Sequence, residues 1–133
     1  MKAISQTGFA ALLAIGVCAQ QSAVAQQSGL SRTDVLQHDL GNAGREVVQT
    51  RVDFAPRAVS PRHSHPGEEI AYVLEGTLEY QIEGRAPVTV QAGQALFIPA
   101  GTNHIAKNVG TGKSSELATY LVTKGVPLLV IAK

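Results

Sequence analysis

The chain has 133 residues and a formal net charge of +1, with 11 Lys plus Arg against 10 Asp plus Glu. This length provides one domain with a single core. The balanced charge lacks the field with which proteins hold nucleic acid or an anionic membrane, so we expect neither partner. Gly is abundant, with 13 residues, and the later two-thirds of the chain consists of short β-branched runs separated by Gly and Pro. This composition favours an all-β fold.

The first 25 residues have the pattern of a removable secretion signal. Lys2 precedes the apolar run 9–17 (FAALLAIGV), which is too short for a permanent membrane helix. Ala23 and Ala25 give the small-x-small pattern of a cleavage site, which predicts a mature chain that starts at Gln26 and a periplasmic or secreted location. An uncleaved membrane anchor is the alternative, because such anchors use similar apolar runs.

The single cysteine, Cys18, follows Val17, and a bulky residue there fits a lipid-attachment signal poorly. Cleavage after Ala25 removes this cysteine, so the mature protein is expected to hold neither a disulfide nor a thiolate ligand. We expect residues 26–33 to form a flexible leader and residues 34–133 to form one domain, with no stable membrane insertion after cleavage.

The predicted strands begin at 46–54 (EVVQTRVDF), where apolar and polar residues alternate as in a half-buried strand. This stretch is interpreted as the first strand of the fold. The polar stretch 30–45 is interpreted as a loop, with His38 as a surface residue that has no partner at ligand spacing. The stretch 55–61 (APRAVSP) carries two prolines, which should interrupt strand pairing.

Further short strands follow in the order of a β-meander, each bounded by turn residues. Inward-facing residues of these strands are candidates for apolar pocket walls. The predicted strands lie in 68–75, 77–82, 87–91, 95–99 and 116–132, the last interrupted at Lys124-Gly125, and the candidate wall residues are Leu78, Tyr80, Ile82, Phe97 and Val122.

Three histidines and one glutamate form a candidate metal site. His63 and His65 are two residues apart, so on an extended strand both imidazoles emerge on one face. Glu69 lies four residues beyond His65, an even offset that keeps the same face if the strand runs straight, and a bend at Pro66-Gly67 is expected to return the carboxylate inward. His104 follows a turn that can bring a later strand back across the fold. Three imidazoles and one carboxylate suit one divalent transition metal, namely Mn, Fe, Ni, Cu or Zn.

The two segments that carry these residues resemble the two motifs of the cupin family. The first segment is 61–76 (PRHSHPGEEIAYVLEG), which matches at the His-x-His pair, Glu69 and Gly76. The second segment is 93–108 (GQALFIPAGTNHIAKN), which matches at Gly93, Pro99, Gly101, His104 and Asn108.

The resemblance implies a conical cupin barrel, a double-stranded β-helix or jelly roll of two antiparallel sheets, with the metal inside near one open end and often a homodimer. One departure is Arg57, which stands six residues before His63 where the family often has Gly. The turn there is expected to differ. A long Arg near the barrel mouth could contact an anionic ligand, although a solvated turn residue is the simpler interpretation.

We expect a metal-dependent enzyme of the dioxygenase, lyase or isomerase type that acts on a small organic molecule, with Glu69 doubling as the catalytic base. The fold alone does not choose the reaction. A mainly aliphatic pocket without an Arg or Lys clamp argues against a sugar phosphate as the substrate. The alternatives are a non-catalytic periplasmic module that binds or senses a small molecule or metal, and a dimeric interaction domain with a vestigial site.

Overall fold

The computed structural model describes residues 29–41 and 44–133, and within these ranges every regular element is a β-strand. The predicted secretion signal, 1–25, lies outside the described residues. In the described part of the chain, no helix is long and apolar enough to cross a membrane. The strands are β1 (Leu30–Asp39), β2 (Arg45–Phe54), β3 (His63–Ser64), β4 (Glu68–Glu75), β5 (Thr77–Ile82), β6 (Val88–Gln91), β7 (Ala95–Ile98), β8 (His104–Asn108), β9 (Ser114–Thr123) and β10 (Val130–Ile131).

The strands form two five-stranded antiparallel sheets, in the orders β1-β2-β9-β4-β7 and β10-β3-β8-β5-β6. The predicted all-β, two-sheet jelly-roll barrel is therefore confirmed. The predicted meander is wrong, because consecutive strands pair only in β1–β2 and β5–β6. At every other connection between these strands, the chain crosses from one sheet to the other. This topology places β3, β4 and β8, which carry the predicted ligands, around one interior.

The core lies between the two sheets and follows the period-two alternation of the strands. The core residues named here are at most 4% exposed, and burial of a large apolar side chain contributes about 1.5–3 kcal/mol. The first sheet contributes Val52, Phe54, Ala71 and Val73, and the second contributes Leu78, Tyr80, Ile82 and Ala106.

Strand β1 is the main element that the sequence pattern does not predict. It pairs with β2 from Leu30 opposite Phe54 to Asp39 opposite Glu46. Residues 30–33 of the expected leader and most of the expected loop are therefore strand, and 46–54 belongs to the second strand rather than the first. Nearly all β1 side chains are exposed, so the strand has no buried face that would produce hydrophobic alternation.

Two glycines near the predicted ligands are required by close backbone contacts. A Cβ at Gly67 would lie 2.0 Å from the carbonyl oxygen of Leu121. Gly76 has φ 73°, and a Cβ there would lie 2.2 Å from Ser114 Oγ. Neither position admits a larger residue without a shift of the backbone. Gly67 therefore lets the chain pass close to β9 just before Glu69.

Arg57 has φ 65° and is the one non-glycine residue with positive φ in the described ranges. The turn therefore takes the left-handed conformation that glycine adopts most easily, although the residue is Arg. Its side chain is exposed, as the simpler interpretation predicts.

Candidate metal centre

The three predicted histidine ligands meet inside the barrel. His63 in β3 pairs directly with His104 in β8, and His65 follows two residues after His63. One ring nitrogen from each histidine lies within 4.8 Å of the others. All three side chains are buried, with 2% to 4% exposure. The antiparallel β3–β8 pairing thus unites the two sequence motifs in one cluster.

Backbone carbonyl groups fix the orientation of the three imidazole rings. A carbonyl oxygen only accepts hydrogen bonds, so each Nδ1 that contacts one carries the proton, and each Nε2 presents a lone pair. Metal-binding histidines are commonly oriented in this way. The contacts are His63 Nδ1 to Pro61 O at 2.8 Å, His65 Nδ1 to Leu128 O at 2.6 Å and His104 Nδ1 to Thr102 O at 3.0 Å.

Glu69 brings a carboxylate to the same point. Its Oε2 lies 3.1 Å from His65 Nε2 and 3.3 Å from His104 Nε2. Both His65 Nε2 and Glu69 Oε2 are buried without a hydrogen-bond partner. A lone pair and a carboxylate oxygen cannot satisfy each other, whereas a cation between them satisfies both. The donor set therefore fits a metal ion.

The charge states of the side chains in the cluster also favour a bound cation. Burial lowers the pKa of His63 to about 4, so this ring is neutral at physiological pH. Burial alone would raise the pKa of Glu69, but its contacts with His104 and His65 outweigh burial and lower the pKa. Burial likewise lowers the pKa of His104, but Glu69 outweighs that effect and raises it. The buried negative charge of Glu69 thus needs a positive charge beside it, either a protonated histidine or a metal ion.

A small cavity of about 10 Å³, which has room for about one water molecule, adjoins His63, Glu69 and His104 and is partly open to solvent. It is more polar than the sequence predicts. Tyr80 lines it, whereas Leu78, Ile82 and Val122 are buried elsewhere, and Phe97 is 51% exposed and lies outside the barrel. The polar groups that line the cavity are Arg32, Ser60, Tyr80, Glu116 and Tyr120.

The expectation that the pocket lacks a basic residue is wrong, because Arg32 lines the cavity. Arg32 lies on β1, which the sequence pattern does not predict, so its position could not be foreseen. Arg57, the residue considered for contact with an anion, does not line the cavity.

Glu116 is a site residue that sequence reasoning missed. It lies on β9, is 5% exposed and accepts a hydrogen bond from the Tyr80 hydroxyl at its Oε2. Burial, together with the charge of Glu69, raises the pKa of Glu116 to about 7. The signal was available, because Glu116 shares the even positions of β9 with the buried Tyr120 and Val122.

Two neighbouring polar residues lie outside the ligand set. Glu68 faces solvent and pairs with Arg45 at 3.1 Å. Asn108 is 1% exposed and structural: its amide donates to the Gly112 carbonyl at 2.8 Å, and its Oδ1 accepts from Ser114 Oγ at 2.8 Å.

The barrel and the buried cluster of three histidines and one glutamate define a small jelly-roll protein built around a metal-type site. A family model described as Cupin domain matches residues 50–123. The chain therefore belongs to the cupin family.

Its curated relatives include plant germin-like proteins and oxalate oxidases. The germin-like protein subfamily 2 member 2 of Arabidopsis thaliana is 31% identical over 111 residues, which cover 70% of this chain and 51% of the relative. Oxalate oxidase GF-2.8 of Triticum aestivum is 35% identical over 82 residues, which cover 56% of this chain and 37% of the relative. The chain thus spans about half or less of the length of these relatives.

Solved structures agree with this assignment. An oxalate oxidase in complex with the substrate analogue glycolate superposes with a TM-score of 0.66 at 28% identity, covering 81% of this chain and 57% of the other. The DMSP lyase DddQ from Ruegeria pomeroyi DSS-3 superposes with a TM-score of 0.67 at 19% identity, covering 84% of this chain and 56% of the other. The second likeness shows the fold alone.

Proposed function

We propose that this protein is a metal-dependent enzyme that oxidises a small carboxylic acid with dioxygen as the oxidant, with one divalent transition metal held by His63, His65, His104 and Glu69. The observation that carries the proposal is the convergence of three Nε2 lone pairs on an unpartnered buried carboxylate oxygen. Such a set of three nitrogens and one oxygen suits Mn, Fe, Ni, Cu or Zn.

When bound, the metal supplies Lewis-acid polarisation and, for Mn, Fe or Cu, redox chemistry. The residues of this chain orient the metal ligands and supply the charge around the metal. The carbonyl contacts of His63, His65 and His104 fix the ring tautomers. Glu69 supplies a negative charge and also acts as the base. Because its pKa is lowered, Glu69 accepts a proton only from a group whose acidity has been raised.

The proposed substrate class rests on the cavity and on the relatives. The cavity has room for about one water molecule and is partly open to solvent, so only a small molecule can approach the cluster. Arg32 at its wall favours an anion over a neutral ligand. Relatives named oxalate oxidase, one of them in complex with glycolate, match the part of the chain that carries the site. A small carboxylic acid satisfies all three observations.

Elemental analysis of the purified protein tests the metal site. We expect about one equivalent of metal in the unaltered protein and a loss of metal in His104→Ala. His38→Ala is the matched control, because His38 is exposed on β1 and outside the cluster. The control should keep its metal. An unaltered protein with no metal, or equal metal content in all three proteins, contradicts the proposal.

A non-catalytic binding or sensing module is the second candidate, and the narrowness of the cavity favours it. Oxygen consumption by the metal-loaded protein, measured with small carboxylic acids such as oxalate and glycolate, separates the two candidates. Oxygen uptake with His104→Ala inactive supports the enzyme. Saturable binding of these acids without oxygen uptake supports the binding module.

The proposal includes export and a homodimer. Export is supported by the signal pattern in 1–25, and a mature N-terminus at Gln26, measured by mass spectrometry of the exported fraction, tests it. The dimer is supported by an exposed apolar sheet face where Ile70 pairs with Phe97 beside Tyr72, all 40% to 51% exposed. Sedimentation velocity should give a dimer for the unaltered protein and a monomer for Phe97→Lys.

A further inference from the structure

Ser60 lies in the connection between β2 and β3, three residues before His63. We propose that Ser60 is a positioning residue of the metal site, because its hydroxyl group joins the carbonyl group that orients His63 to the strand that carries His104. Ser60 is 7% exposed and lines the small cavity beside both histidines. The inference rests on the proposed function, because it assumes that a metal binds at the cluster.

The Ser60 hydroxyl group makes two hydrogen bonds, one to each part of the site. It donates its proton to the carbonyl oxygen of Pro61 at 3.1 Å. Its oxygen accepts a hydrogen bond from the backbone N–H of Ala106 at 2.9 Å. A hydroxyl group can donate one proton and accept at the same time, so the two bonds are compatible. Ser60 therefore connects the backbone beside His63 with β8.

The Pro61 carbonyl oxygen is shared between Ser60 and a proposed metal ligand. The same oxygen accepts the Nδ1 proton of His63 at 2.8 Å. A carbonyl oxygen has two lone pairs, so it can accept both hydrogen bonds. A turn of this peptide group would move the acceptor away from the His63 ring, and the bond from Ser60 opposes that turn. Ser60 thus acts on the ring of His63 through the Pro61 carbonyl group.

The other hydrogen bond ties Ser60 to the strand of the second motif. Ala106 lies two residues beyond His104 on β8, so both side chains face the barrel interior and line the cavity. The Ser60 N–H also donates to the Ala106 carbonyl oxygen at 2.8 Å. Among the described residues, β3 pairs directly with β8 at one position, His63 opposite His104. Ser60 therefore adds a second tie that fixes His63 relative to His104.

Replacement of Ser60 by Ala has two separable effects. It leaves the buried N–H of Ala106 without its acceptor, which lowers stability, and it frees the Pro61 carbonyl group to turn, which changes the metal site. Ser114 provides a matched control for the first effect. Its fully buried hydroxyl group also accepts from a backbone N–H, that of Thr77 at 3.0 Å, and donates to a carbonyl-type oxygen, Asn108 Oδ1 at 2.8 Å. Ser114 does not line the cavity.

Metal affinity and the absorption spectrum of bound Cu²⁺ test this inference. Cu²⁺ is the probe because its spectrum depends on the geometry of its ligands, and competition with a chelator of known affinity measures its binding. We expect Ser60→Ala to weaken binding about tenfold and to shift the spectrum. Ser60→Thr keeps the hydroxyl group and should keep the affinity and the spectrum of the unaltered protein. Ser114→Ala should lose stability in urea but keep both properties of the metal site.

The outcomes separate this inference from the proposed function. An unaltered protein that takes up no metal overturns both. If the unaltered protein binds Cu²⁺ and Ser60→Ala keeps its affinity and spectrum, only the role of Ser60 is overturned. An equal change in Ser60→Ala and Ser114→Ala also overturns that role, because general destabilisation then explains it. A Ser60→Thr protein that binds as weakly as Ser60→Ala shows that the hydroxyl group does not position His63.

Discussion

His65 donates its Nδ1 proton to the carbonyl oxygen of Leu128 at 2.6 Å, so a residue 63 positions further along the chain orients a proposed ligand. The segment that carries Leu128 leads into β10, which pairs with β3 through Ile131 opposite His63. Leu128 therefore orients the ring of His65, and Ile131 pairs with the backbone of His63.

Removal of residues 127–133 should weaken metal binding, because it deletes the acceptor that fixes the His65 tautomer together with β10. Loss of such an orienting partner typically costs 10- to 100-fold in metal affinity. Competition with a chelator of known affinity measures the change. Removal of Lys133 alone is the control and should have no effect. Equal affinity of both truncated proteins for the metal would contradict the orienting role of Leu128.

The ligand set could be predicted from sequence because each ligand lies in a local motif with strand spacing. His63 and His65 share a face by their two-residue offset, and the two motifs stand in the order that the cupin resemblance requires. The carbonyl partners of the rings could not be predicted in the same way. The acceptor for His65 comes from Leu128, and a backbone oxygen leaves no mark on the residue type.

The cavity was harder to predict than the ligands, for two physical reasons. Strand β1 pairs along an edge and has almost no buried side chains, so its sequence shows no alternation. The sequence pattern therefore does not predict that Arg32 lines the cavity. Phe97 is apolar but exposed, because β7 turns this side chain to the outer face. Apolar character alone does not distinguish a side chain on a core face from one on an exposed sheet face.

Asn108→Ala should lower the free energy of unfolding by about 2–4 kcal/mol, because it leaves several buried backbone groups without partners. Its amide donates to the carbonyls of Ala55 and Gly112, and its Oδ1 accepts from Gly110 N. Urea denaturation measures the loss. Asn103→Ala is the control, since Asn103 makes one exposed contact with Glu83 and should cost less than about 1 kcal/mol. Equal losses would show that the Asn108 network is not special.

Acid should destabilise the metal-free protein through His63. Burial lowers the pKa of His63 from 6.5 to about 4, so the unfolded chain binds more protons than the folded protein between these values. The contribution of this group is complete above pH 6.5, falls as the pH falls, and is lost near pH 4. The largest loss is about 3 kcal/mol.

Urea denaturation of the chelator-treated protein between about pH 7 and about pH 4.5 measures this dependence. His63→Gln removes the titrating group and should give a shallower decline of stability with falling pH. His38→Gln is the control, because His38 is exposed, and it should keep the decline of the unaltered protein. If the decline is equally steep in His63→Gln, another group causes it.

Arg57→Gly should raise the free energy of unfolding by about 0.5–1 kcal/mol. Arg57 has φ 65°, and the left-handed conformation costs a residue with a Cβ about 1–2 kcal/mol, part of which glycine gives back through its greater freedom in the unfolded chain. Arg57→Ala keeps the Cβ and should therefore show no gain, so the difference between the two variants isolates the backbone term. Because Arg57 does not line the cavity, metal content should be equal in both. Equal stability of the two variants in urea would show that the turn carries no such strain. A loss of metal in both variants would show that Arg57 contributes to the metal site.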